Sequence, residues 1–89
     1  MARAYVKLPV GMLTAAGDRA VECEATTVAE ALEQAIAAEP RLKPRIFRED
    51  GRMWAGVFLN ARNINALDGV ETALSDGDKL AVVPPIHRG

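Results

Sequence analysis

The chain has 89 residues, 49% of them hydrophobic and 26% charged, with a formal net charge of -1. That length predicts one domain with a modest core, and that charge gives no electrostatic case for nucleic acid or an anionic membrane. One cysteine allows no intrachain disulfide, one cysteine with one histidine is too few for a metal site of soft ligands, and no apolar run approaches the ~20 residues of a membrane span.

In chain order, Ala4-Tyr5-Val6-Lys7-Leu8 has the β-branched and aromatic content of a strand, which Pro9 ends. Val10 to Asp18 carries two glycines and reads as a loop. Ala20 to Glu24 alternates, with Val21 and Cys23 inward and Glu22 and Glu24 outward. This makes Cys23 a buried structural thiol rather than a nucleophile. Thr27-Val28-Ala29-Glu30 is a capping box that opens a helix. Val28, Leu32, Ala35 and Ile36 share one helical face, and Pro40 stops the helix. In the charged stretch that follows, Leu42, Ile46 and Phe47 are core anchors, with a short helix predicted after Pro44.

Trp54 to Asn60 is the third predicted strand, with Ala55, Val57 and Leu59 on one face and Trp54, Gly56 and Phe58 on the other. A short strand is expected around Ile64. Asp68-Gly69 and Ser75-Asp76-Gly77-Asp78 are turns, and Lys79 to Val83 is the last strand. This order gives an α+β fold, a mixed sheet of four to five strands packed on one main helix. The first and last strands are expected side by side in its centre.

Pro84-Pro85 then closes the ladder, since Pro85 has no N–H to donate. Four residues remain, Ile86, His87, Arg88 and Gly89, which span up to roughly 13 Å when extended. The predicted division is a domain over residues 1–85 and an extended tail over residues 86–89. MARAYVKLPV has no long apolar stretch before a cleavage site, which argues against a secretory leader and for a cytoplasmic location.

Val57-Phe58-Leu59-Asn60, the run from Leu67-Asp68-Gly69 to Thr72-Ala73-Leu74-Ser75-Asp76-Gly77-Asp78, and the Pro-Pro tail with its final glycine resemble one family. It is the MoaD/ThiS family of ubiquitin-like sulfur carriers, with the front of this chain nearer the cysteine-biosynthesis and archaeal carriers. Two positions depart from the family pattern. Ala61 replaces the glycine that follows Asn, so the tight Asn-Gly turn is not expected in its usual form. Arg88 replaces the penultimate glycine.

The resemblance implies a ubiquitin-like β-grasp and a protein co-substrate rather than an enzyme. Gly89 would be the reactive residue. A ThiF/MoeB-like adenylating partner would activate its carboxylate with ATP, and a sulfur donor would convert it to a thiocarboxylate. A biosynthetic enzyme of molybdopterin, thiamine or cysteine formation or tRNA thiolation would accept the sulfur. The chain itself would bind no cofactor or metal, and it has no Gly-rich phosphate loop. Pro85, Ile86, His87 and Arg88 would thread the partner, and Phe58 would dock on it. Two other readings are carried: a modifier joined to lysines through Gly89, and an interaction module that Arg88 keeps from being activated.

Overall fold

The computed structural model describes residues 1–9, 17 and 19–83. β1 (Ala2–Lys7) and β2 (Ala20–Ala25) form an antiparallel pair, with Ala2 opposite Ala25 and Lys7 opposite Ala20. α1 (Val28–Ala38) crosses one face of the sheet, and the short α2 (Lys43–Ile46) follows a 3₁₀ turn at Pro40–Leu42. β3 (Gly56–Leu59), β4 (Arg62–Asn63) and β5 (Asp78–Val83) complete a five-stranded sheet in the order β2-β1-β5-β3-β4. β1 and β5 are parallel neighbours at its centre, as the strand pattern predicts, while the other pairs are antiparallel.

Alternation sorts the two faces of the sheet. Val6, Val21, Cys23, Val57, Leu59, Leu80 and Val82 point to the buried side. They meet Val28, Ala31, Leu32 and Ala35 of α1, with Leu42 and Ile46 closing one end. Burying a side chain the size of Leu32 is worth about 2 kcal/mol, so this stripe, and not helix propensity alone, holds an eleven-residue helix in place. At its start the Thr27 hydroxyl accepts from the N–H of Glu30 at 3.4 Å. The Glu30 carboxylate reaches back one residue beyond the usual capping-box target and accepts from both the N–H and the hydroxyl of Thr26.

Several boundaries differ from expectation. β1 begins at Ala2 and stops at Lys7, because its register is set by the whole length of β2. Leu8 still donates to the Arg19 carbonyl at 2.8 Å. The predicted loop from Val10 to Asp18 lies outside the described residues except for Gly17. The third strand starts at Gly56, not Trp54, because the N–H groups of Trp54 and Ala55 are turned to the Ile46 carbonyl. α2 begins before Pro44, with that proline in its first turn, where a missing N–H costs nothing. The strand expected around Ile64 is the two-residue β4 just before it. Ile64 itself opens a 3₁₀ turn, Ile64–Ala66, and is buried. The last strand starts one residue early, at Asp78.

The Asn60-Ala61 turn is the clearest correction. It forms as a tight two-residue connection between Leu59 and Arg62, with φ of 50° at Asn60 and 70° at Ala61. Alanine occupies the left-handed position usually given to glycine. Asn60 holds the turn to β5. It donates through Nδ2 to Asp78 at 2.9 Å, accepts at Oδ1 from the Lys79 N–H at 3.0 Å, and donates its own N–H to the Lys79 carbonyl at 2.8 Å.

Candidate functional site

β5 runs up the middle of the sheet to Val83, whose partner is Gly56. Val83 is 47% exposed. Gly89, Pro85, Ile86, His87 and Arg88 lie outside the described residues, as does the predicted boundary between residues 85 and 86. The site geometry therefore concerns the sheet surface next to the point where the chain leaves β5.

Strand alternation and pairing assign that surface. Phe58 lies opposite Ala81 and Asn63, on the face turned away from α1. It is half-buried, and a methyl group placed on Gly56 would meet its ring at 3.3 Å. The ring thus lies back over Gly56, towards Val83. Phe58 is positioned one strand over from the Val83 end of β5, on a face that the helix does not cover. Trp54 is handled differently. It is 38% exposed, but its indole N–H donates to the Pro44 carbonyl at 3.2 Å, which fixes it against α2.

The same face holds a groove that the sequence reading did not single out. Tyr5 and Lys7 project from β1, Lys79 and Ala81 from β5, and Arg19 and Ala20 flank them from the β2 side. Asn60 and Ala61 close its lower end. Each strand's alternation gives its outward residues. Their convergence depends on β1 lying next to β5, which brings Tyr5 opposite Lys79 and Lys7 opposite Ala81.

Electrostatics elsewhere in the domain are structural. Cys23 is buried, with its thiol near the Ala31 carbonyl at 3.5 Å. Burial, and to a lesser degree the charge of Glu22, push that thiol up, so it stays protonated and unreactive at neutral pH. Glu39 is held below its ordinary value by the Arg41 guanidinium, which bonds both its oxygens at 2.8 and 2.9 Å. No cluster of three or more potential metal ligands occurs among the described residues, and no described helix is long and apolar enough to cross a membrane. This surface combines an apolar floor, an aromatic near the Val83 end of β5, and cations around them.

Comparison with known proteins agrees with this architecture. The ThiS family model matches residues 6–87. The chain is 33% identical over 86 residues to small archaeal modifier protein 1 of Haloferax volcanii, covering 93% of this chain and 97% of that protein. The solution structure of small archaeal modifier protein 1 from Methanosarcina acetivorans superposes with a TM-score of 0.82 at 30% identity, over 100% of this chain and 98% of that one. The fold also matches a chain of the Amycolatopsis orientalis BexX/CysO complex, with a TM-score of 0.77 at 24% identity, over 97% and 99% of the two chains.

Proposed function

Because the chain belongs to the ThiS family of ubiquitin-fold carriers and modifiers, we propose that it is a sulfur carrier whose Gly89 carboxylate is activated by a partner enzyme. The observation that carries this reading is the extent of the family match, which runs from β1 through residue 87 and so takes in the Pro84-Pro85 exit. The carboxylate attacks the α-phosphorus of ATP, and pyrophosphate leaves. The acyl-adenylate carbon then accepts a sulfide-level sulfur, and AMP leaves with the bonding pair. A carboxylate needs this step because it is a poor electrophile without a phosphate leaving group. The partner supplies the nucleotide site and the sulfur donor. This chain supplies a narrow arm and a rigid sheet to which the partner holds, with Phe58 as an anchor beside the arm and Pro85 to Arg88 threading the partner's cleft.

The test is intact-mass measurement after incubation with a ThiF/MoeB-like enzyme, ATP and a sulfur donor. Exchange of one oxygen for sulfur at Gly89 is the expected result. No change with an enzyme that activates its own carrier would overturn the proposal. Arg88→Gly in parallel shows whether the larger side chain limits activation: a gain confined to that variant would favour the non-activated module.

A second reading is supported by the two modifier relatives, whose names describe protein modifiers. In that case a lysine amine attacks the acyl-adenylate carbon in place of sulfur, AMP leaves with the bonding pair, and the amine loses a proton as the isopeptide bond to Gly89 forms. High-mass adducts linked through Gly89 in the same experiment would identify it.

A further inference from the structure

Val83 ends β5, and Trp54 lies two residues before its partner, Gly56. Both belong to the four large hydrophobic residues exposed among the described ones. An apolar pair at one strand end, unlike scattered single residues, marks a surface made for a contact.

Trp54 is held ready for one. Its indole N–H donates to the Pro44 carbonyl at 3.2 Å, and its backbone N–H to the Ile46 carbonyl at 2.9 Å. The ring is therefore fixed before anything packs on it, while 38% of the residue stays exposed. It shares a groove with Pro44, Phe47, Arg48, Glu49 and Asp50. One cation and two carboxylates give that groove no single sign of charge, and three rings give it an apolar part. Such a lining fits an uncharged, rigid segment, and proline on an aromatic surface is a recurring case.

The strand register identifies the segment. Val83 lies opposite Gly56 in an antiparallel pair. Extending that pairing by two residues would bring Pro85 level with Trp54, about 5 Å across and on the same face. A ladder hydrogen bond has no donor there, because the Trp54 N–H is turned to Ile46 and Pro85 has no N–H. What the two positions can share is ring against ring.

We infer that Trp54 is a positioning residue: its indole is a platform on which the Pro85 ring packs, so that the chain leaves β5 in one direction with Ile86 to Gly89 beyond. The packing stands on the fold alone. Its consequence for activation rests on the carrier reading, in which an arm aimed before encounter loses less conformational freedom on entering the partner's cleft. Pro85 then sits at the mouth of that cleft.

Trp54 is the only tryptophan, so its fluorescence in the full chain reads the contact. Pro85→Ala is expected to move the emission to longer wavelength and to raise quenching by acrylamide, because part of the indole passes from a ring to water. Arg88→Ala, three residues farther along, is expected to change neither. In isotope-labelled chain, nuclear Overhauser contacts between the indole and the Pro85 ring are expected, with upfield Pro85 shifts that Trp54→Leu abolishes. Absent contacts, or an emission indifferent to Pro85→Ala, overturn the inference. An emission that changes with protein concentration would assign the platform to a second copy and overturn it too.

ATP–pyrophosphate exchange with the ThiF/MoeB-like enzyme of the same genome, at varied carrier concentration, reads the consequence. Trp54→Leu is expected to raise KM about threefold with kcat unchanged, and Trp54→Phe, which keeps a ring, to raise it less. An unchanged KM, or a loss in kcat alone, overturns the positioning role. A wild-type chain that shows the contacts but is never adenylated overturns the carrier reading and leaves the packing. Equal thermal midpoints confirm that the Trp54 variants are folded, and Pro85→Ala, beyond β5, decides the packing if they are not.

Discussion

Ala61 sits at φ 70°, where its methyl group crowds the backbone in a way that glycine avoids. Glycine at this position relieves that crowding but loses more chain entropy on folding. The net expectation for Ala61→Gly is a gain of about 0.5–1 kcal/mol, seen as a higher urea midpoint. A lower midpoint would show that the methyl group contributes packing that outweighs its strain. The turn departs from the sequence expectation because the missing glycine is local information, whereas the three hydrogen bonds by which Asn60 engages Asp78 and Lys79 are not. Phe58 shows the other side of this. Its outward direction is readable from alternation, but alternation does not say that its ring lies back over Gly56, two residues earlier on the same strand.

At the scale of elements, α1 was the most legible part of the chain. Its cap residues, buried stripe and terminating proline are all encoded within a dozen or so neighbours. Its N-terminus should carry a pH signature. The Thr26 hydroxyl, and then the Thr26 N–H, hold the Glu30 carboxyl below the ordinary value of 4.5. A lowered carboxyl contributes stability that is present above the unfolded-state value and is lost as pH falls through the folded-state value. Glu39, held down by Arg41, acts in the same direction. The urea midpoint should therefore fall as pH drops below 4.5, and Glu30→Gln should flatten part of that fall. Identical slopes for wild type and Glu30→Gln would remove Glu30 as a source.

β2 illustrates what local pattern leaves unread. Its alternation was clear, but the side chain of Gln34 on α1 bonds both the N–H and the carbonyl of Glu24, occupying part of the outer edge of the sheet. That contact shields an edge otherwise open to another strand. β4 lies ahead of the expected position at Ile64 for a similar reason. A two-residue strand has no periodicity, and only its pairing with Phe58 and Leu59 defines it.

For the whole molecule, the decisive junction is the parallel contact of β1 with β5. Leu80 is fully buried in that central strand, pairs with Val6 on one side and Leu59 on the other, and belongs to the core under α1. Leu80→Ala should cost about 3 kcal/mol, read as a lower denaturation midpoint with an unchanged slope. A cost under about 1 kcal/mol would mean that the core collapses around the cavity. The segment between β4 and β5 is fastened to the start of α1, with Val28 donating to the Thr72 carbonyl at 3.1 Å and Leu74 to the Thr26 carbonyl at 3.0 Å. Helix, crossover and central strand therefore brace one another, and the proposed arm leaves from the best-supported strand of the sheet.

By itself, the amino-acid sequence determined the class of fold, the position of α1, the inward and outward faces of the longer strands, and the family. All of these are written in short-range periodicity, caps, turn residues and motif order. Only the tertiary structure decided the strand order beyond the central β1–β5 pair, the tight turn at Asn60-Ala61, the anchoring of Trp54, and the cation-rimmed groove on the face that carries Phe58. Those features depend on residues far apart along the chain, such as the Arg3 N–H bonded to Asp76 at 2.8 Å across 73 positions. Such contacts form because burying one apolar face of each strand against α1 leaves a single compact arrangement that also satisfies the backbone groups between them.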